Sequence, residues 1–323
     1  MPTRRLFLAL FAILAVLGIA QPGRSESWPQ RPVRIVVPFA PGGNTDGIAR
    51  IVAQRLGEAF KQPFVVENRA GAGGAIAADA VARSPADGYT LIMATLGQIA
   101  ITPAMTKVAY DPVKDFAPIS VIGTNPFVLI AHPSVPARTL GELVDYARRD
   151  PDKLSYAATF GGLSHLAMAL FLKRAGIEIV PVMYKGGAAP LTDVVGGHVQ
   201  LYLTNLSGVP QYAATGALRP LAVSSDKRVP QIPEVPTFIE SGFPGFKMVQ
   251  WNGLLAPAGT PRDIIDRLAK EIAGAVKDPK FIERLAALDV DPLGNTPEEF
   301  AAMIAADIPL WAEAVKIAGV EEK

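Results

Sequence analysis

Short apolar, β-branched runs alternate with amphipathic stretches along most of the chain. Val33–Val37 ends at Pro38 and reads as a strand buried on both faces. Ile48, Ile51, Val52, Leu56, Ala59 and Phe60 then recur at helical spacing, with Arg55 as a polar intruder, and predict an amphipathic helix. Phe64–Glu67 is a second strand, Ala75–Arg83 a small-residue helix and Thr90–Ala94 a third strand. Strand, loop, helix, strand at this spacing is a βαβ unit, which predicts parallel pairing with right-handed crossovers.

After a long connection the rhythm resumes. Ile119–Ile122 and Phe127–Ala131 read as two strands with Asn125-Pro126 between them. Helices are predicted over Leu140–Arg149 (Thr139 as N-cap), Leu163–Arg174, Ala188–Val195 and Gly208–Thr215. Strands are predicted over Leu154–Ala157, Ile179–Val182, Val199–Leu203, Leu218–Val223 and Met248–Leu255. Pro261–Val276, Pro279–Leu288 and Pro297–Ile317 close the chain as helices. Thr260 and Thr296 are expected as N-caps, each followed by Pro at the first helical position. Pro309 is expected to kink or break the last helix. The fold class is α/β, and strand pairs around 119–131 and 218–255 mark two boundaries. Two such crossings make the first domain discontinuous: residues 28–126 with 248–323, against a second domain of 127–247.

The segment before Trp28 fits neither pattern. Arg4 and Arg5 precede an uncharged apolar run of 14 residues, Leu6–Ile19, and small or polar residues follow to Ser27. That order is a secretory signal peptide, residues 1–27, and the run is shorter than the roughly 20 residues of an ordinary membrane span. An uncleaved N-terminal anchor is the alternative. The mature protein is expected in the periplasm.

Composition removes whole classes of chemistry. The 323 residues include 31 Lys and Arg against 30 Asp and Glu, a net charge of +1, which argues against a general nucleic-acid partner. No cysteine is present, which excludes thiol nucleophiles, iron–sulfur ligation, thiolate zinc sites and a lipidated N-terminal Cys. The three histidines, at 132, 165 and 198, leave little for a His-based metal site. No cofactor motif is complete. In Gly71-Ala-Gly-Gly-Ala-Ile76 the third glycine of a dinucleotide fingerprint is Ile76, so close helix–strand packing is the better reading.

The informative loops lie after predicted strands and open helices, where α/β proteins bind ligands. Pro41-Gly-Gly-Asn-Thr-Asp46 lets backbone amides and a helix dipole approach an anion; equally, Asn44, Thr45 or Asp46 can simply cap the helix. Thr159-Phe-Gly-Gly-Leu-Ser-His165 offers hydroxyls and amides in the second half. Its Ser-His pair is not a hydrolase elbow: Leu166 stands where G-x-S-x-G needs glycine, and neighbours on a helix do not face each other. Tyr184-Lys-Gly-Gly187 contributes a cation, Lys185, and Thr204-Asn-Leu-Ser207 adds small polar donors.

At these residues the chain resembles the Bug-type extracytoplasmic solute receptors of tripartite tricarboxylate transporters. The resemblance runs from Trp28 to about Gly319. It is carried by Trp28-Pro-Gln-Arg-Pro-Val-Arg-Ile-Val-Val-Pro-Phe-Ala-Pro-Gly-Gly43, Val66-Glu-Asn-Arg-Ala-Gly-Ala-Gly-Gly74, Ala86-Asp-Gly-Tyr-Thr-Leu91, Tyr110-Asp-Pro-Val-Lys-Asp-Phe-Ala-Pro118, Tyr184-Lys-Gly186 and Leu255-Ala-Pro-Ala-Gly-Thr-Pro261. It implies a type II periplasmic-binding-protein fold, two α/β domains around a cleft joined by two strand crossings, closing on ligand by hinge bending. It further implies a monomer without enzymatic activity. That receptor takes up a small organic carboxylate and hands it to membrane components of the transporter. A sensory binding protein signalling to a membrane kinase is the alternative use of the same closure.

Carried over by position, the first-domain contacts are Pro41, Gly42, Gly43, Thr45, Asp46 and Thr95. Those of the second domain are Thr159, Gly161, Ser164, His165 and Thr204. Three departures from the family pattern bear on the ligand. Asn44 replaces a third glycine, Phe160 and Leu163 make the second loop more apolar, and Thr204 stands where most relatives carry an Asp, with Asn205 retained. The expected ligand is an apolar or aromatic monocarboxylate, or a dicarboxylate, ahead of an amino acid.

Overall fold

The computed structural model describes residues 28–185, 188–206 and 208–322; the expected signal peptide lies outside them. The first βαβ unit forms as the pattern predicts. Strand β1 (Val33–Val37) pairs in parallel with β2 (Phe64–Asn68) and β3 (Thr90–Thr95), with helices α1 (Asn44–Phe60) and α2 (Ala75–Ala82) between them. Val33, Ile35 and Val37 are fully buried, as are Ile48 and Leu56 of α1, so the apolar stripe of the helix covers one face of the strands.

The two short strands expected at 119–122 and 127–131 are instead one strand of 16 residues, β4 (Phe116–Ala131). Its Pro126 does not interrupt it because the strand changes neighbours there. Up to Pro126 it pairs with β9 (Val249–Pro257), and from Phe127 it pairs with β7 (Leu201–Asn205) and β8 (Arg219–Val223). A residue without an N–H is tolerated where one ladder ends and another begins. The strand order is β2-β1-β3-β9-β4-β7-β5-β6, where β5 is Ser155–Thr159 and β6 is Val180–Tyr184, so the sheet curls through both halves along β4.

The chain therefore crosses between the halves along β4 and again between β8 and β9. Ser224 joins the crossings: its amide donates to the Phe127 carbonyl (2.8 Å), its carbonyl accepts from Met248 N–H (3.1 Å), and its hydroxyl accepts from Phe127 N–H (2.8 Å). The same hydroxyl donates to the Met248 carbonyl. The architecture is the two-domain α/β fold that the sequence implied.

Other details differ from expectation. The connection after β3 contains a π-helical turn, Gly97–Ile101, and a short helix α3 (Thr102–Met105); Thr102-Pro103 masked it as a breaker. Helix α4 (Leu140–Arg149) carries the expected Thr139 cap, whose hydroxyl accepts from Glu142 N–H. Helices α5 (Leu163–Ala175), α6 (Ala189–Val195) and α7 (Val209–Ala214) follow. In α8 (Arg262–Ala275) the cap is Pro261 rather than Thr260, whose hydroxyl turns back to the Pro257 carbonyl at 2.8 Å. After α9 (Pro279–Ala286) a two-residue strand β10 (Asp291–Pro292) pairs with β4. Helix α10 (Pro297–Ala318) opens with a capping box of Thr296 and Glu299 and runs through Pro309 without a break. Pro309 and Ala305 lie on the exposed face, so the carbonyl that the proline leaves without a donor faces water. Its buried face, with Phe300, Ile304 and Trp311, packs across the base of both halves, against β4 and against α5.

Candidate ligand-binding site

The loops after β1 and β5 adopt one backbone conformation. Gly42 and Gly161 have φ of 87° and 66°, a left-handed geometry that glycine adopts without a Cβ penalty. Gly43 and Gly162 follow in extended conformation (φ/ψ of −80°/171° and −78°/165°) and cap α1 and α5 without a side-chain hydrogen bond. Asn44, Thr45 and Asp46 are thus not the cap. They form the first turn of α1, whose amides have no acceptor within the helix. The first helical bond runs from Gly47 N–H to the Gly43 carbonyl.

Each side chain of that turn is fastened to a different element. Asn44 Nδ2 donates to the Leu288 carbonyl at 2.7 Å. Thr45 Oγ1 donates to Asn252 Oδ1 on β9 at 3.0 Å. The buried Asp46 carboxylate accepts from Gly42 N–H (2.9 Å), Arg50 Nε (2.9 Å) and Nη2 (3.1 Å), and Asn68 Nδ2 (2.9 Å). Burial alone would raise its pKa, but the hydrogen bonds from Arg50, Gly42 and Asn68 and the Arg50 charge outweigh that and hold it below the usual carboxylate range. Asp46 is a spent anion: it shapes the glycine loop and is neutralised by Arg50, so it does not repel an anion at the helix end.

Thr95 closes the floor of this first cluster. Its hydroxyl donates to Gln98 Oε1 (2.9 Å) and accepts from Gly97 N–H (3.2 Å). Gln98 in turn donates to the Gly73 carbonyl, and a Cβ on Gly74 would sit 2.3 Å from Gln98 Nε2. The Gly71–Gly74 run therefore serves close packing, in keeping with its sequence. Thr95 is the register partner of Asn252, which puts their side chains on one face of the sheet.

The second loop repeats the plan with different chemistry. Ser164 stands where Thr45 does, and its hydroxyl accepts from Thr159 N–H at 3.4 Å. His165 stands where Asp46 does, and its Nδ1 accepts from Gly161 N–H at 3.4 Å. That bond suits a ring with its proton on Nε2, and burial lowers the imidazole pKa, which favours the neutral form. On its other side His165 borders a cavity of about 700 Å³ between α5 and the end of α10. The Phe160 ring is 65% exposed and 6.1 Å from the His165 ring. Extending the parallel register of β5 and β7 sets Thr159 beside Thr204, which is half-buried within the end of β7 rather than in the loop after it.

The two clusters belong to opposite halves, and the second of them touches the opposite half at α3: a Cβ on Gly161 would lie 2.8 Å from the Met105 methyl. Pro41, Gly42, Gly43, Thr45, Asp46 and Thr95 thus form one cluster, and Thr159, Gly161, Ser164, His165 and Thr204 the other. Lys185 is exposed at the end of β6, and the glycines that follow it, like Ser207, lie outside the described residues. Asn252 was not singled out from sequence. Its signal was present: a polar residue in the otherwise apolar run Asn252-Gly-Leu-Leu-Ala256 of a central strand. Among the described residues no cluster of His, Asp or Glu is placed to hold a metal ion, and no helix is long and apolar enough to cross a membrane.

Residues 48–320 match the family described as tripartite tricarboxylate transporter family receptor. BugT of Bordetella pertussis is 36% identical over 322 residues, covering 99% of both chains. R. palustris Rpa4515, solved with adipate, is 38% identical and superposes with a TM-score of 0.72 over 91% of this chain and 99% of that one. A TctC solute-binding protein from Polaromonas, solved without ligand, is 26% identical and superposes with a TM-score of 0.82 over 90% of this chain and 99% of that one.

Proposed function

From the premise that the chain belongs to the tripartite tricarboxylate transporter receptor family, we propose that it captures a small organic carboxylate between its two halves. It then presents that ligand to the membrane components of such a transporter, from the periplasm and without chemistry on the ligand. The single observation that carries this reading is the pair of glycine-capped helix ends, one per half. Each offers first-turn amides and a hydroxyl, Thr45 or Ser164. Amides and a helix dipole suit a carboxylate, and water-mediated contacts can complete its coordination at small cost. Two such ends suit a dicarboxylate, with one carboxylate for each half.

The moving units are residues 28–126 with 248–323, and 127–247, turning about the Ser224 junction. This chain superposes better on the ligand-free Polaromonas receptor than on the adipate complex, although sequence identity runs the other way, which supports an arrangement of the halves like that of a receptor without ligand. The adipate found in the Rpa4515 neighbour also favours a flexible dicarboxylate. Titration calorimetry of the mature chain against adipate, malate, benzoate and aspartate tests the proposal. Heat from at least one acid lacking an ammonium group is expected; binding of aspartate alone, or of none, overturns it.

A further inference from the structure

Asn252, which holds Thr45 of the first cluster, carries a buried side-chain donor that is left without a partner among the described residues. It is fully buried on β9, its Oδ1 accepts from Thr45 Oγ1, and its Nδ2 is buried with no partner among the described residues. Buried amide donors are rarely left unmade, so the site is built for a further partner or for a second arrangement of those it has. Its surroundings narrow the choice. Thr95, its register partner, already directs its hydroxyl to Gln98. The residue opposite on the other side, Gly123, has no side chain. Thr45 is the polar side chain within reach, and it lies in the first turn of α1.

A carboxamide differs from every other side chain of its size in carrying a donor and an acceptor on one rotatable plane. We propose that Asn252 is the positioning residue of this anion site and that its amide turns over when a carboxylate binds. The inference rests on the proposed function. In the empty site Thr45 Oγ1–H donates to Asn252 Oδ1, as seen here. A carboxylate at the end of α1 is acceptor-only and takes the Thr45 proton. The Asn252 plane then rotates by a half-turn, and Nδ2 donates to Thr45 Oγ1. The hydroxyl becomes a relay: amide N–H to hydroxyl oxygen, hydroxyl proton to carboxylate. The number of hydrogen bonds at the pair is conserved: Thr45 is released to the ligand while staying bridged to Asn252, and the amide exchanges an unpartnered Nδ2 for an unpartnered Oδ1. The turnover is specific to an acceptor-only group: an ammonium could donate to Thr45 Oγ1 with the hydroxyl proton still on Asn252 Oδ1, and would leave the amide where it is.

The test uses the full mature chain with adipate and malate as probes. Asn252→Leu keeps the size and suits an apolar strand, but it removes both ends of the amide. It is expected to weaken binding 3- to 10-fold in a wild-type background and less than twofold in a Thr45→Val background, because the residue acts through the hydroxyl. An equal loss in both backgrounds, or none in either, overturns the relay. Nuclear magnetic resonance gives a readout that needs no altered fold. The Asn252 side-chain NH₂ pair, identified by its absence in Asn252→Leu, should move on saturation with the probe in wild type and in Thr45→Ser, and stay fixed in Thr45→Val. A pair that ignores the ligand in wild type overturns the relay while leaving carboxylate binding intact. Failure of wild type to bind either probe overturns both readings together.

Discussion

Two helix ends of the same design lie in opposite halves of the fold, and they are anchored very differently. At α1 the third residue is Asp46, a charged acceptor with four short hydrogen bonds drawn from three partners. At α5 it is His165, a neutral acceptor with one bond at 3.4 Å and a cavity behind it. Charge-assisted bonds are roughly twice as strong as neutral ones. The first loop is therefore held rigidly and the second is free to adjust; on the function proposed above they become a preformed and an adjustable half-site. In a receptor that closes on its ligand, this division lets one half select the carboxylate and the other fit what is attached to it. On the same proposal the exposed Phe160, on the adjustable side, serves that second task.

The largest expected effect strikes the anchored side. Asp46→Ala frees Gly42 N–H, Arg50 and Asn68 together and should cost about 3 kcal/mol in denaturant unfolding, against about 1 kcal/mol for His165→Ala. Equal costs would break the comparison. The pH dependence of the two also differs. The depressed Asp46 pKa contributes stability that is present above the usual carboxylate range and lost as pH falls below it. The depressed His165 pKa means that the unfolded chain takes up a proton first as pH falls from 6.5, so stability declines with acid from that pH downward until the folded ring also titrates.

Asp307 must be removed to see the histidine effect more clearly. Its carboxyl accepts from Trp251 Nε1 at 2.8 Å, and burial pushes its pKa up to about 6. The folded protein then binds the proton more tightly than the unfolded chain, so this group stabilises as pH falls from about 6 towards 3.8, the sign opposite to His165. Asp307→Asn keeps an acceptor for the indole and should add about 2 kcal/mol at pH 7, measured by unfolding; in that background the decline that begins near pH 6.5 should be smaller in His165→Gln, while the half-buried Asp291 still opposes it and the paired carboxylates add to it at lower pH.

Smaller changes sharpen the contrast. Gly42→Ala and Gly161→Ala both force a side chain into left-handed backbone, which by itself should cost each about 1 kcal/mol, with a further loss for Gly161→Ala. The second must also displace the Met105 methyl, while the first meets nothing within 4 Å, so the difference between the two melting curves reports how closely the halves touch. Phe160→Ser should change stability by less than about 0.5 kcal/mol, as expected of an exposed residue, yet shift the ranking of adipate over malate in calorimetry.

Much of this was legible in the chain. Buried strands announced themselves through β-branched runs such as Val33–Val37, and glycine pairs after strands marked both helix ends. What sequence could not supply was partnership. Asp46 reads as an anion in the way of an anion until Arg50 and Asn68 are seen to absorb it. Asn252 lies 207 positions from Thr45, and no local rule joins them. The long strand β4 was divided at Pro126 because a proline looks like an ending when its two sets of neighbours are unknown.

The Ser224 junction has a consequence for the architecture of the chain itself. The strand entering the second half at Phe127 and the strand returning from it at Met248 are bridged by a single residue, so the points of departure and return are adjacent. Seen from the first half, everything between them is an insertion whose ends already meet. The entropy of closing such an excursion grows only with the logarithm of its length. The host sheet is thus insulated from additions and losses within the guest, and the guest is free to diversify its loops while the first half keeps its form.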